Sequence, residues 1–295
     1  MRKTKFFCLI VILMISCEFE PVGSGSLLES SNEDSEFATG GICIGNGEYG
    51  NHNASVLVNF DVPDDLPDNF DLSHLLPPIR NQGQQGSCVS WAISYYMKSL
   101  QEKIESETDF TVSDVTSPAY TYNQITKGNC AETAIVETLD LLKTKGVCSW
   151  SSFPYSDTNC DRQPTEEHDE QALQNRISDY KCLSGENMVN EMKGLINQQT
   201  PVIILAYLSS EFGKTDNFGL TAYREHLVDY SLGRCHAMLV VGYSDKYNAF
   251  KVVNSWGTDW GDNGFVWIDY AAFDNVINET AEFRVINQAY VAYDF

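Results

Sequence analysis

The apolar positions change their period part of the way along the chain. From Val89 to Leu100 they fall at Val89, Ala92, Ile93, Tyr96, Met97 and Leu100. This i, i+3, i+4, i+7 stripe predicts a helix from about Ser87 to Ile104. Ser117-Pro118 reads as an N-cap followed by proline at the first helical position. Glu132 to Lys145 predicts a helix closed by Gly146, and Glu186 to Asn197 a further one. After Pro201 the pattern turns to short apolar or alternating runs. Pro201 to Leu208, His236 to Tyr243, Phe250 to Asn254, Gly264 to Tyr270 and Glu282 to Tyr293 read as strands, with turns at Ser244–Asn248 and Trp260–Asn263. A helical half followed by an antiparallel half predicts an α+β protein with a cleft between the halves, a common place for a ligand site.

The N-terminus follows a different logic. Arg2, Lys3 and Lys5 precede the ten-residue apolar run Phe6–Ile15. That run is too short for a bilayer span, which needs about 20 residues, and it has the form of a signal peptide over residues 1–16. It ends in Leu13-Met14-Ile15-Ser16-Cys17, which resembles a bacterial lipobox and makes Cys17 the expected lipidation site. The alternative is ordinary secretion with cleavage near Gly23 to Ser26. Residues 17–36, rich in Ser, Gly, Glu and Asp, read as a flexible tether. Residues 37–65 read as a lead-in, and 66–295 as one two-lobed domain. The expected location is the cell envelope, through a lipid anchor, with secreted or periplasmic release as the alternative.

Charge removes some partners. The 295-residue chain carries 19 basic and 41 acidic residues, a net charge of −22. Loss of Arg2, Lys3 and Lys5 with the leader would take it to −25. No nucleic-acid partner is expected from such a balance. Of the nine cysteines, Cys43, Cys130, Cys148, Cys160, Cys182 and Cys235 are left over for structure. Six allow 15 pairings. Cys148 and Cys160 flank the Phe153-Pro154-Tyr155 turn and are the favoured pair; Cys235, beside His236, is expected to stay reduced. Glu166-Glu167-His168-Asp169-Glu170 reads as a solvated helix face, and His52, His74, His168 and His226 as surface residues. No metal site and no cofactor is expected, because no His/Cys set has zinc spacing.

Three segments carry chemistry: Gln82-Gly83-Gln84-Gln85-Gly86-Ser87-Cys88, Cys235-His236 with its apolar run, and Asn254-Ser255-Trp256-Gly257 with Trp260-Gly261. A thiol at a helix N-terminus sits in the positive end of the helix dipole. An imidazole lowers its pKa further, an Asn amide can hold the imidazole, and a side-chain amide with a backbone N–H can bind an oxyanion. Cys88, His236, Asn254 and Gln82 supply these groups. In residues, order and spacing the segments resemble the papain family of cysteine peptidases over about Leu66 to Tyr270. The His lies 148 positions after the Cys and the Gln six before it, and Leu66-Pro67-Asp68-Asn69-Phe70-Asp71 resembles the start of mature members.

The resemblance implies a two-lobed fold with a helical lobe, an antiparallel β-barrel-like lobe and the site between them. It makes Cys88 the nucleophile, His236 the base and then acid, Asn254 its orienting partner, Gln82 part of the oxyanion hole, and Trp256 a shield. Peptide or protein substrates, a monomer and no cofactor follow. Alternatives are an acyl transferase on the same residues and a non-catalytic surface binding protein. The chain departs from the family at Gln85, where a disulfide cysteine usually stands. At Cys130-Ala131-Glu132 it lacks the usual Gly-Gly, and Val89 replaces an aromatic. It also shows no long helical propeptide between Cys17 and Leu66.

Overall fold

The computed structural model describes residues 37–43, 54–57, 60–106, 109–111, 115–183, 187–229, 234–273 and 282–295. The leader, Cys17 and the tether lie outside them. Among the described residues no helix is long and apolar enough to cross a membrane.

The first helix runs without interruption through α1 (Cys88–Ser90), a π-helical stretch (Trp91–Met97) and α2 (Lys98–Ser106). An apolar stripe on one side of a helix commonly leaves the opposite side to water. Instead every residue from Ser87 to Gln101 is buried, because other elements pack on all its sides. Several of its polar positions are paired, as burial of polar groups favours. Ser94 Oγ meets Thr121 Oγ1 at 2.8 Å, and Ser99 Oγ meets Thr116 Oγ1 at 2.8 Å. Lys98, 1% exposed, is held between Glu102 and Asp294.

Helix α3 (Pro118–Thr126) begins as its sequence predicts: Ser117 Oγ accepts from Tyr120 N–H at 3.2 Å, with proline at N1. Helix α4 (Ile135–Thr144) ends at Gly146, whose φ of +80° and N–H bond to Leu142 O at 3.0 Å form the left-handed cap. A side chain there would drive a Cβ to 1.9 Å from Ala172 O. Helix α5 (Glu166–Ala172) carries the acidic stretch, largely exposed. His168 is not a plain surface residue: its Nδ1 accepts from Thr165 N–H at 3.1 Å and caps that helix. Helix α6 (Met188–Asn197) lies within its expected range.

The sheet half uses β1 (Asn69–Asp71), β2 (Asp179–Cys182), β3 (Val202–Leu208), β4 (Lys214–Thr215) and β5 (Thr221–Tyr223). It continues with β7 (Arg234–Ser244), β8 (Ala249–Val253), β9 (Phe265–Asp269) and β11 (Ile286–Tyr293). Among the described residues the order is β2-β11-β3-β7-β8-β9-β5-β4, with β1 added beside β7. A separate pair joins β6 (Leu227–Asp229) to β10 (Glu282–Arg284). All these pairings are antiparallel except β5 with β9. The α+β class holds, but the sheet is open and not a closed barrel. Strand β7 is its longest and is buried from Cys235 onward; it packs against the π-helical stretch and so joins the two halves at the level of Cys88.

Two expectations about cysteines fail. Cys43 is bonded to Cys235, and Cys130 to Cys160. Cys148 is a free buried thiol, as is Cys182. The 148–160 pairing rested on closeness along the chain. In the fold Cys148 turns into a small core with Tyr120 and Phe153, and Cys160 meets the loop that follows α3. Cys235 is not reduced, because residues 37–43 return along its strand and bring Cys43 to a Cα–Cα distance of 5.5 Å.

Candidate active site

Cys88 is the first residue of α1, so its sulfur sits where backbone N–H groups lack helical partners. The loop before it is shaped by Gly83 at φ +65°, whose N–H bonds Asn81 Oδ1 at 2.8 Å. Tyr155 OH pins this loop from the helical half, 2.7 Å from Gln82 O and 2.6 Å from Ser87 Oγ. From the sheet half, residues 80–82 pair with 255–257. Gln82 N–H donates to Ser255 O at 2.8 Å, and Gly257 N–H to Arg80 O at 3.2 Å. The two loops that carry Gln82 and Asn254 are thus one hydrogen-bonded unit.

His236 lies near the start of β7 and Asn254 directly after β8. Their strands are neighbours, which brings the side chains together. His236 Nε2 and Asn254 Oδ1 are 2.7 Å apart, both residues wholly buried. The amide oxygen accepts only, so Nε2 carries the hydrogen. That leaves Nδ1 with the lone pair, buried and without a hydrogen-bond partner among the described residues. The residue after His236 touches the thiol: Ala237 N–H donates to Cys88 Sγ at 3.3 Å. Asn254 is itself fixed, with Oδ1 accepting from Ser255 N–H at 2.7 Å and its carbonyl from Tyr96 OH at 3.2 Å.

Gln82, also wholly buried, has its amide oxygen 2.5 Å from Ser255 Oγ, which orients the NH₂. One of the two amide hydrogens goes to Gln85 O at 2.9 Å; the other is available to a ligand. Trp256 lies over His236 with ring centroids 4.6 Å apart. It is backed by Trp260 at 5.0 Å and Phe212 at 5.6 Å, so the His–Asn bond is kept from water. Trp260 belongs to this cluster.

Burial dominates the electrostatics. It pushes the Cys88 thiol up to about 12; the Ala237 N–H opposes this, Glu132 adds to it, and the Val89 and Gly40 N–H groups oppose it. Burial pulls His236 down to about 4, against the hydrogen bond to Asn254. With the site covered, the pair is a neutral thiol beside a neutral imidazole. Among the described residues no cluster of His, Cys, Asp or Glu is arranged to hold a metal ion.

All five residues that the sequence singled out here, Gln82, Cys88, His236, Asn254 and Trp256, come together. Sequence reading missed Ser255, Tyr96 and Tyr155 as supports. Ser255 was visible within the Asn-Ser-Trp motif; nothing local marks the two tyrosines. It also missed Thr133, whose backbone faces the groove, and residues 37–43, which occupy it.

A thiol at a helix N-terminus, an Asn-held imidazole and an amide donor thus meet where the helical half faces the antiparallel sheet. The comparisons carry this one step further. Residues 66–284 match the papain family cysteine protease family, and the chain belongs to that family. It is 25% identical over 215 residues to a cysteine protease of Blomia tropicalis, covering 69% of this chain and 61% of that protein. It is 28% identical over 212 residues to cathepsin J of Mus musculus, covering 69% and 60%. The chain thus spans about three fifths of the curated relatives it matches. In fold it is similar to xylellain, a cysteine protease from Xylella fastidiosa, with TM-score 0.69 at 18% identity over 88% of this chain and 97% of that one. A digestive procathepsin L 3 of Tenebrio molitor gives TM-score 0.62 at 16% identity, over 88% and 76%.

Proposed function

We propose that the chain is a cysteine peptidase that hydrolyses peptide bonds through a thioester on Cys88. The observation that carries this is the buried His236–Asn254 bond at 2.7 Å, with the next residue's N–H on Cys88 Sγ. Once substrate or solvent reaches the groove, the thiol proton passes to His236 Nδ1. The thiolate attacks the carbonyl carbon of the bound peptide. The resulting oxyanion takes hydrogen bonds from the Cys88 backbone N–H and the free Gln82 Nε2 hydrogen. The imidazolium, kept by Asn254 in one ring orientation, gives its proton to the leaving amine. Water, deprotonated by the same nitrogen, then releases the acid and restores the thiol.

Cys88→Ala is expected to abolish both peptide hydrolysis and labelling by a thiol-directed epoxide. Hydrolysis at the parental rate would overturn the mechanism.

The same reading assigns residues 1–16 to a signal peptide, 17–36 to a tether, 37–65 to a lead-in and 66–295 to the peptidase unit, acting as a monomer on peptide or protein substrates. Cys17 is the lipid attachment point that holds it at the cell envelope. Support comes from the basic residues 2–5, the apolar run and the lipobox-like ending. Cys17→Ala should leave the chain unlabelled by fatty acid and free of the membrane fraction. Retention of both by this variant would remove the anchor assignment.

A further inference from the structure

Residues 37–43 lie across the groove that contains Cys88. Phe37 stacks on Trp256 with centroids 4.9 Å apart, and Ala38 O accepts from Trp256 Nε1 at 2.9 Å. Thr133 N–H donates to Gly40 O at 3.0 Å, and Ile42 N–H to Thr133 O at 3.1 Å. Gly41 N–H donates to Cys235 O at 3.1 Å. The segment is therefore tied to the helical half at Thr133 and to the sheet half at Cys235. Its two glycines are required by closeness: a Cβ on Gly40 would come within 2.1 Å of Gly86 O, and one on Gly41 within 2.3 Å of Leu205 Cδ1. Cys43 then closes a disulfide to Cys235, the neighbour of His236.

We propose that residues 37–43 are an autoinhibitory strap, locked over the cleft by the Cys43–Cys235 disulfide and released when a dithiol reductant opens that bond. The proposal rests on the peptidase reading for what the strap inhibits.

The strap is bound as a blocker and not as a substrate. Gly40 O accepts from Thr133 N–H, while the Gln82 amide donates to Gln85 O. The Gly40 N–H is among the donors that act on the Cys88 sulfur. Under the strap Cys88 and His236 are both wholly buried, so neither substrate nor water reaches them.

The covalent bond decides the hold. Three backbone hydrogen bonds, one indole hydrogen bond and one ring stack are opposed by the entropy of ordering seven residues. Cys235 is 3% exposed and Cys43 partly exposed, so a thiolate reaches Cys43 Sγ first. It forms a mixed disulfide there and expels Cys235 as a thiolate, which takes up a proton. The second thiol of the dithiol attacks the mixed disulfide and frees Cys43. Two electrons pass from the dithiol, which leaves as its own disulfide. In an oxidising compartment the lock persists, and a dithiol becomes the signal that opens it.

The test measures alkylation of Cys88 by iodoacetamide, resolved by peptide mass spectrometry, alongside labelling by an epoxide and peptide hydrolysis. The parent chain, Cys43→Ser and Gly40→Val are each purified without reductant. The oxidised parent should alkylate at Cys88 at least tenfold more slowly than after treatment with dithiothreitol. Cys43→Ser should match the reduced parent without reductant. Gly40→Val, with its disulfide intact, should be faster than the oxidised parent, because the strap no longer fits against Gly86. Equal rates for oxidised and reduced parent would overturn the strap, and a Cys43→Ser chain as slow as the oxidised parent would overturn the lock. Opening that tracks cleavage of the chain near residue 43, with the disulfide retained, would also overturn release by reduction. Alkylation reads access without catalysis. A chain that opens but hydrolyses nothing would therefore sink the peptidase reading and leave the strap standing.

Discussion

Asn254→Ala gives the sharpest test of how the buried pair works. The substitution removes the acceptor 2.7 Å from His236 Nε2 and leaves a wholly buried ring N–H without a partner. In the catalytic state that ring is an imidazolium, so the lost bond is charge-assisted and worth about 1.5–3 kcal/mol. This corresponds to a fall of about 10- to 150-fold in kcat/KM. The Asn254 bond raises the affinity of His236 for a proton, so without it the imidazolium is lost at lower pH. The basic limb of the kcat/KM profile should move to lower pH as well as the plateau falling. The assay is hydrolysis of a fluorogenic peptide amide by fully reduced protein across pH 5 to 9, with Asn254→Gln as the conservative comparison. A plateau within twofold of the parent and an unmoved basic limb would refute the assignment of Asn254 as the residue that positions His236.

Two further outcomes follow from other buried groups. In the oxidised chain burial holds His236 at about 4, below its ordinary 6.5. The unfolded chain therefore takes up the proton first, and stability should be complete above pH 6.5 and decline as pH falls toward 4, by on the order of 3 kcal/mol. Urea denaturation should show this decline in the parent and a shallower one in His236→Gln; parallel curves would contradict it. Lys98→Met leaves Asp294 and Glu102 without their cation. These carboxylates keep 20% and 27% exposure, so the cost should fall at the low end of that for a broken buried pair, about 3 kcal/mol. An unchanged urea midpoint would exclude a structural role for the pair.

The site was more legible in the sequence than the fold around it. Gln82 and Cys88 share one loop and helix start, and His236 and Asn254 lie on and just after neighbouring strands, so short spacings carry most of their geometry. The helix beginning at Cys88 was legible as a helix but not as a buried one. Its serines and Lys98 look like a wet face until the partners at Thr116, Thr121 and Asp294 are known, and these lie far along the chain. Disulfides failed for the same reason. Closeness in sequence favoured Cys148 with Cys160, whereas Cys43 and Cys235 are 192 positions apart and are joined only because a glycine-rich lead-in folds back over the cleft. That return leaves no period of 2 or 3.6 to read. Gly40-Gly41 was visible as a pair, but its reason, a backbone pressed against Gly86 and Leu205, exists only in three dimensions.

Lys98 grips Asp294, 196 positions further on. A chain delivered N-terminus first exposes the cysteine helix early and the strand Ile286–Tyr293 much later. Until that segment arrives, Lys98 has Glu102 alone as its counter-charge, and burying the helix costs more. The helix that carries the reactive thiol therefore gains its second counter-charge only once Asp294 has left the ribosome. The order of emergence acts as a clock, and a half-delivered chain holds no assembled active site.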